Sequence, residues 1–251
     1  MELLSDPFTL AMAIVAVIIV GMAKGGFSGL GALATPLLAL ALPPATAAAV
    51  LLPVLLVQDV VSVWSFRQTW DKWIVGWMLP GAVIGVALAT GYSAAVDERL
   101  LLLALGVITL AFGLYRLWLE RGGRIAATST SPGWVGMLFG VATGVTSQIG
   151  HAGGPPFQIW VTPRRLQHET FVGTNSVLFA AINWLKVPSY LALGALDRKA
   201  LTASALLLPL AVVSTLIAVR VIRRLDPARF YRLIYVLMVL LGAKLVWDGL
   251  A

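Results

Sequence analysis

The chain has 251 residues, 59% of them hydrophobic and 12% charged, with a mean hydropathy of +0.92. Soluble domains run at roughly half apolar and a quarter charged, so this composition excludes a water-soluble globular protein and predicts an all-α polytopic membrane protein. The net charge of +7 falls in short loops between apolar runs, as the positive-inside rule produces, and not on a nucleic-acid face; the absence of cysteine excludes disulfides, thiolate metal sites and cysteine catalysis.

The opening residues carry Glu2 and Asp6 where a secretory signal would carry Lys or Arg, so the first apolar run is expected to be retained. A spanning helix needs ~20 apolar residues. Runs 46–66, 73–92, 100–119, 170–195, 200–221 and 230–250 meet that length. Two regions do not read as one helix. Residues 8–42 are interrupted by the glycine-rich stretch 25–31 (GGFSGLG), and residues 134–161 by 150–156 (GHAGGPP). Each predicts two short helical arms joined by a glycine-rich middle. Irregular backbone at membrane depth is tolerated only where it is buried in protein or lines a cavity, so two breaks predict one binding site.

The second half repeats the first. A shift that brings Pro80 onto Pro209 also superposes Asp97 on Asp226, Gly113 on Gly242 and Trp118 on Trp247 without a gap. The repeats are placed at residues 1–125 and 126–251. If each broken region returns to the face it entered from, one face holds Arg67, Lys72, Arg116, Arg121, Arg124, Arg164, Arg165, Arg220, Arg223, Arg224, Arg229 and Arg232, and the other only Arg99, Arg198 and Lys199. If each crosses once, the cluster around Arg223 changes face and the split becomes nearly even. The positive-inside rule favours the returning hairpin. A hairpin plus three crossings per repeat is an odd count, so the halves are expected to be inverted. That is the plan of secondary transporters, in which broken helices meet at mid-membrane and present backbone dipoles to a ligand.

The hairpin tips offer glycine N–H groups and helix N-termini, a cradle suited to an anion. The candidate substrate-binding residues are Lys24, Gly25, Gly26, Ser28, Gly29, Gly31, Ser147, Gln148, Gly150, His151, Gly153 and Gly154. Glycines that merely let helices pack closely are the competing reading. Lys24 at this depth must face an anion or cavity, reach the surface, or pair with Asp59. Gln58, Asp59, Asn183 and Lys186 are intramembrane polar groups in comparable stretches of the two halves. With His151, whose side-chain type has an unperturbed pKa near neutrality, they are the coupling or gating candidates. His168 beside Arg165 reads as solvated. Residues 26–29 spell GFSG, a pattern used by intramembrane serine proteases with a membrane-embedded base such as His151, but an inverted repeat accounts for more of the chain than a Ser28–His151 dyad does. No P-loop, dinucleotide fingerprint or calcium loop is present, and two separated histidines do not make a metal site. Trp70, Trp73, Trp118 and Trp247 are expected in the interfacial belts.

The segment GMAKGGFSGLGALATPLL, the mid-chain GVTSQIGHAGGPP, the duplication and the length together resemble the sulfite exporter TauE/SafE family of bacterial membrane permeases. The resemblance covers essentially the whole chain and implies a multi-pass transporter of the bacterial inner membrane that carries sulfite or small organosulfonates, with export as the expected direction. It implies no enzyme activity, cofactor or catalytic residue. The expected partners are a small anionic substrate and the lipid bilayer, without nucleic acid; a homodimer is left open, as is an anion channel of the same fold.

Overall fold

The computed structural model describes residues 5–27, 29–93, 97–122, 131–221 and 227–251. Among these the chain is helical, without strands. The first half contains α1 (Pro7–Gly25), a 3-10 turn at Leu30–Leu33, α2 (Ala34–Leu38), α3 (Pro44–Phe66), α4 (Lys72–Ser93) and α5 (Glu98–Glu120). The second half gives the same succession: α6 (Gly133–Gly150), α7 (Gly154–Val161) ending in a 3-10 turn at Thr162–Arg164, α8 (His168–Ala192), α9 (Arg198–Val221) and α10 (Pro227–Leu250). Among the described residues, α1, α3, α4, α5 and α9 contain stretches long and apolar enough to cross a membrane.

Several helices begin earlier than hydropathy indicates, because the polar residue or proline ahead of the apolar run forms the first turn. Pro44 opens α3, where a missing N–H costs nothing, and Asp97 precedes α5 in an extended conformation. The first broken region also departs from two short arms. α1 has 19 residues, ~28 Å of helix, whereas α2 has five. Nothing interrupts the run before Gly26, whose φ of 126° ends the helix in a conformation open only to glycine.

Both broken regions fold back on themselves. A Cβ on Gly31 would lie 3.5 Å from that of Ala23, which puts the 3-10 turn against the last turn of α1. In the second region Trp160 Nε1 donates to Ser131 Oγ at 3.0 Å and Arg164 donates to the Ser131 carbonyl at 2.8 Å, so α7 ends beside the start of α6.

Residue pairs give the helix directions. Gly173 packs on the backbone of Phe66 and Thr69, the Ser62 and Ser176 hydroxyls are hydrogen-bonded, and Asn183 donates to Asp59, so α3 and α8 run antiparallel. Gly106 against Leu245 and Val246, Gly113 against Met238 and Val239, and Glu120 paired with Arg232 make α5 and α10 antiparallel too. α1 runs parallel to α9, with Gly21 on Ser214 and Gly25 on Ala218. α6 runs parallel to α4, with Gly140 on Met78 and Gly144 on Ala82. Small residues at these crossings let backbones approach closely, which is how helices associate when lipid offers no hydrophobic drive. Large side chains such as Trp64, Trp118, Trp184 and Trp247 point outward, as expected of a lipid-facing surface.

Candidate functional site

The glycine stretches meet. A Cβ on Gly154, at the start of α7, would lie 4.0 Å from Gly29 Cα, and one on Gly29 would meet the Gln158 amide at 2.8 Å. Between the tips lies a cavity of about 50 Å³, room for about three waters or one small oxyanion. Lys24, Gly29, Gly31, Ser147, His151, Gly154 and Asn183 line it, together with Asn175, Phe179 and the apolar wall of Val20, Ala23, Ala32 and Leu55. Pro155 and Pro156 fix the first turn of α7 and carry no N–H, which leaves Gly154 as the donor that the helix start presents to the cavity.

One side of the cavity is closed by a charged cluster. Lys24, 6% exposed, forms a buried ion pair with Asp59, 1% exposed; of the alternatives open to Lys24, pairing with Asp59 is the one observed. Asn183 Nδ2 donates to the other Asp59 oxygen at 2.6 Å, so each carboxylate oxygen has a partner. The Lys24 carbonyl accepts from Ser62 Oγ at 2.9 Å, and the Lys24 ammonium sits 5.7 Å from the Phe179 ring centroid. The end of the long arm α1 is thereby tied to both α3 and α8.

The opposite side is closed around His151, which caps α6 in the left-handed region at φ 55°. A non-glycine residue persists there only when its surroundings hold it, and here both ring nitrogens are held. Nε2 faces the Ala48 carbonyl of α3 at 2.9 Å, and Nδ1 faces Lys186 Nζ of α8 at 2.6 Å. Lys186 also donates to the Ser147 carbonyl and hydroxyl, each at 3.2 Å. The Ala48 carbonyl can only accept, so Nε2 carries a proton, and with Lys186 as an ammonium donor Nδ1 accepts and the ring is neutral. Tyr190 stacks on it at 6.2 Å and donates to the Gln148 carbonyl at 3.2 Å. Beyond this layer opens a wider vestibule of about 440 Å³, bordered by Thr46, Ala48, Gln148, Tyr190 and Asp197.

The remaining sequence candidates stand behind the cavity. Gly25, Gly150 and Gly153 pack against Ala218, Leu105 and Phe179, the close-packing role, and Gly26 turns the chain. Gln148 faces the vestibule and donates to Ser189 Oγ at 2.6 Å. Gln58, fully buried, bridges the Val17 and Ala211 carbonyls at 3.2 and 3.4 Å. Ser28 lies outside the described residues. Sequence reading overlooked Asn175 and Phe179. They stand two turns and one turn before Asn183 on one face of α8, and an asparagine at that spacing in an apolar helix was the available signal.

A family model described as "Sulfite exporter TauE/SafE" matches residues 13–245, which takes in both glycine tips and every residue of the cavity. No curated protein and no solved structure matches the chain.

Proposed function

Since the chain belongs to the sulfite exporter TauE/SafE family, a family of membrane transporters of sulfite and related anions, we propose that it carries a small sulfur oxyanion by alternating access through the cavity between the glycine tips. The meeting of Gly29 and Gly154 across a cavity of oxyanion size carries this reading. The Gly154 amide, the Asn175 and Asn183 amides and Ser147 Oγ are its hydrogen-bond donors, and Lys24, neutralised by Asp59, lines the same wall.

Residues 1–125 and 126–251 are two inverted repeats. The antiparallel course of α3 with α8 and of α5 with α10, which are equivalent helices in the two halves, supports this, as does the exchange that pairs α1 with α9 and α6 with α4. The hairpins then enter from opposite faces. The face bearing Arg67, Lys72, Arg121 and Arg164 is the cytoplasmic one by loop charge, and the vestibule beside Thr46 and Asp197 opens to the outside of the bacterial inner membrane. The two closing layers, Lys24–Asp59–Asn183 toward the cytoplasm and His151–Lys186–Ser147 toward the outside, are the gates. Rocking of the hairpins opens them in turn.

With the cytoplasm negative, a monoanion leaving gains about 2.3 kcal/mol per 100 mV, so export needs no coupled ion. Counterflow in proteoliposomes tests the reading: unlabelled sulfite inside should drive transient accumulation of labelled sulfite, saturably. Gly154→Ala, whose methyl meets no side chain but intrudes between the tips, should lower that flux about tenfold or more while the melting temperature stays unchanged. A non-saturating conductance without counterflow would make the protein a channel, and full flux in Gly154→Ala would move the site elsewhere.

A further inference from the structure

The buried charges around the cavity do not balance. Lys186 is fully buried, and its three neighbours, the Ser147 carbonyl, Ser147 Oγ and neutral His151, carry no charge. Asp59 of α3 is committed to Lys24 of α1 and Asn183. The other groups in contact with this layer are uncharged, His151 from α6 and Tyr190 from α8, while Asp197 across the vestibule is exposed and accepts from the Ala200 amide. Arg116 of α5 is half-buried and reaches the tips only through Gln158 of α7, at 3.2 Å. With Lys186 as an ammonium, Lys24, Asp59 and Lys186 sum to one cation in excess. An ammonium without a counter-ion at this depth is costly, and intramembrane charges are normally matched. Both cavity-lining partners of Lys186, Ser147 and His151, stand between it and the space between the tips.

We propose that Lys186 is the buried counter-charge of the substrate and that the site is neutral only when it holds a monoanion. The transported species is then bisulfite or a singly charged sulfonate, and the sulfite dianion is excluded. The inference rests on the transport reading above. It differs from the role of Lys24, whose charge is already cancelled by Asp59.

Isosteric anions that differ by one charge separate charge from shape. Binding to the purified full-length protein would be measured by ligand-induced thermal shift in alkaline buffer, with chlorate against the sulfite dianion and perchlorate against sulfate. The monoanion of each pair should bind on the order of tenfold more tightly or better. Lys186→Gln should abolish this preference while melting no lower than wild type without ligand, because it removes an unmatched buried charge; Lys186→Arg should keep the preference. Equal or tighter dianion binding, or a preference that survives in Lys186→Gln, would overturn the charge assignment and leave the transport reading standing. If none of the four anions binds while counterflow persists, the charge assignment falls and the transport reading stands; if counterflow is lost as well, both fall.

Discussion

Replacing Asp59 with asparagine is nearly isosteric but leaves Lys24 buried, 6% exposed, without a counter-ion. Breaking a buried pair from one side costs ~3–5 kcal/mol, because the remaining charge has neither water nor partner. At roughly 2–4 °C per kcal/mol for a chain near this size, the melting temperature should fall by about 6–20 °C. Removing both charges with Lys24→Met and Asp59→Asn should restore most of the loss, since Asn183 can then hydrogen-bond an amide at position 59 and no bare charge remains. Thermal unfolding in detergent, followed by the emission of the nine tryptophans, reads all three variants. A drop under about 3 °C for Asp59→Asn, or a double variant no better than the single one, would refute the argument that this pair is charge-balanced and desolvated.

The remaining predictions address packing and capping. Gly140→Val places its Cβ on the Met78 carbonyl and must force α6 from α4, at a cost of about 3 kcal/mol; Gly76→Ala, with nothing within 4 Å, should gain up to about 1 kcal/mol of helix propensity. Equal melting temperatures for the two would contradict the close α4–α6 crossing. Asp6 caps α1 by accepting from the Thr9 amide and hydroxyl, each at 2.8 Å, and these bonds hold its carboxyl below the ordinary carboxylate range. With the folded value depressed, the stabilisation is present above the unfolded value and lost as pH falls through the folded one. The gap in melting temperature between wild type and Asp6→Ala should therefore be constant near neutrality and close in strong acid; a gap that persists there would count against the cap.

Much of the arrangement was legible in the sequence because backbone chemistry announces itself. Glycine runs inside apolar stretches marked both breaks, and Asp59 stood out in α3 as a carboxylate in an apolar run. Which glycines face the cavity was not legible. Gly25 and Gly150 look like Gly29 and Gly154 in one dimension, and only the neighbouring Ala218 and Leu105 consign the first two to packing. The tether of His151 was hidden for a related reason. Its acceptor is the backbone carbonyl of Ala48 in the other half of the chain, and a carbonyl has no sequence signature. The length of α1 was underestimated because the glycine break was expected to divide residues 8–42 into two short arms, whereas the first arm runs unbroken to Gly25 with Lys24 neutralised from α3.

The central claim, that substrate occupies the space between the tips, is most directly tested by substrate protection of an introduced thiol. The chain has no cysteine, so Ala23→Cys in the cavity wall and Ala45→Cys in the vestibule each give a single labelling site. Sulfite should slow modification of Ala23→Cys by a small charged thiol reagent, saturably and at the concentrations that saturate counterflow, while leaving Ala45→Cys unaffected. Labelling of Ala23→Cys at one rate with and without sulfite, in a protein that still transports, would show that the anion does not pass between the glycine tips.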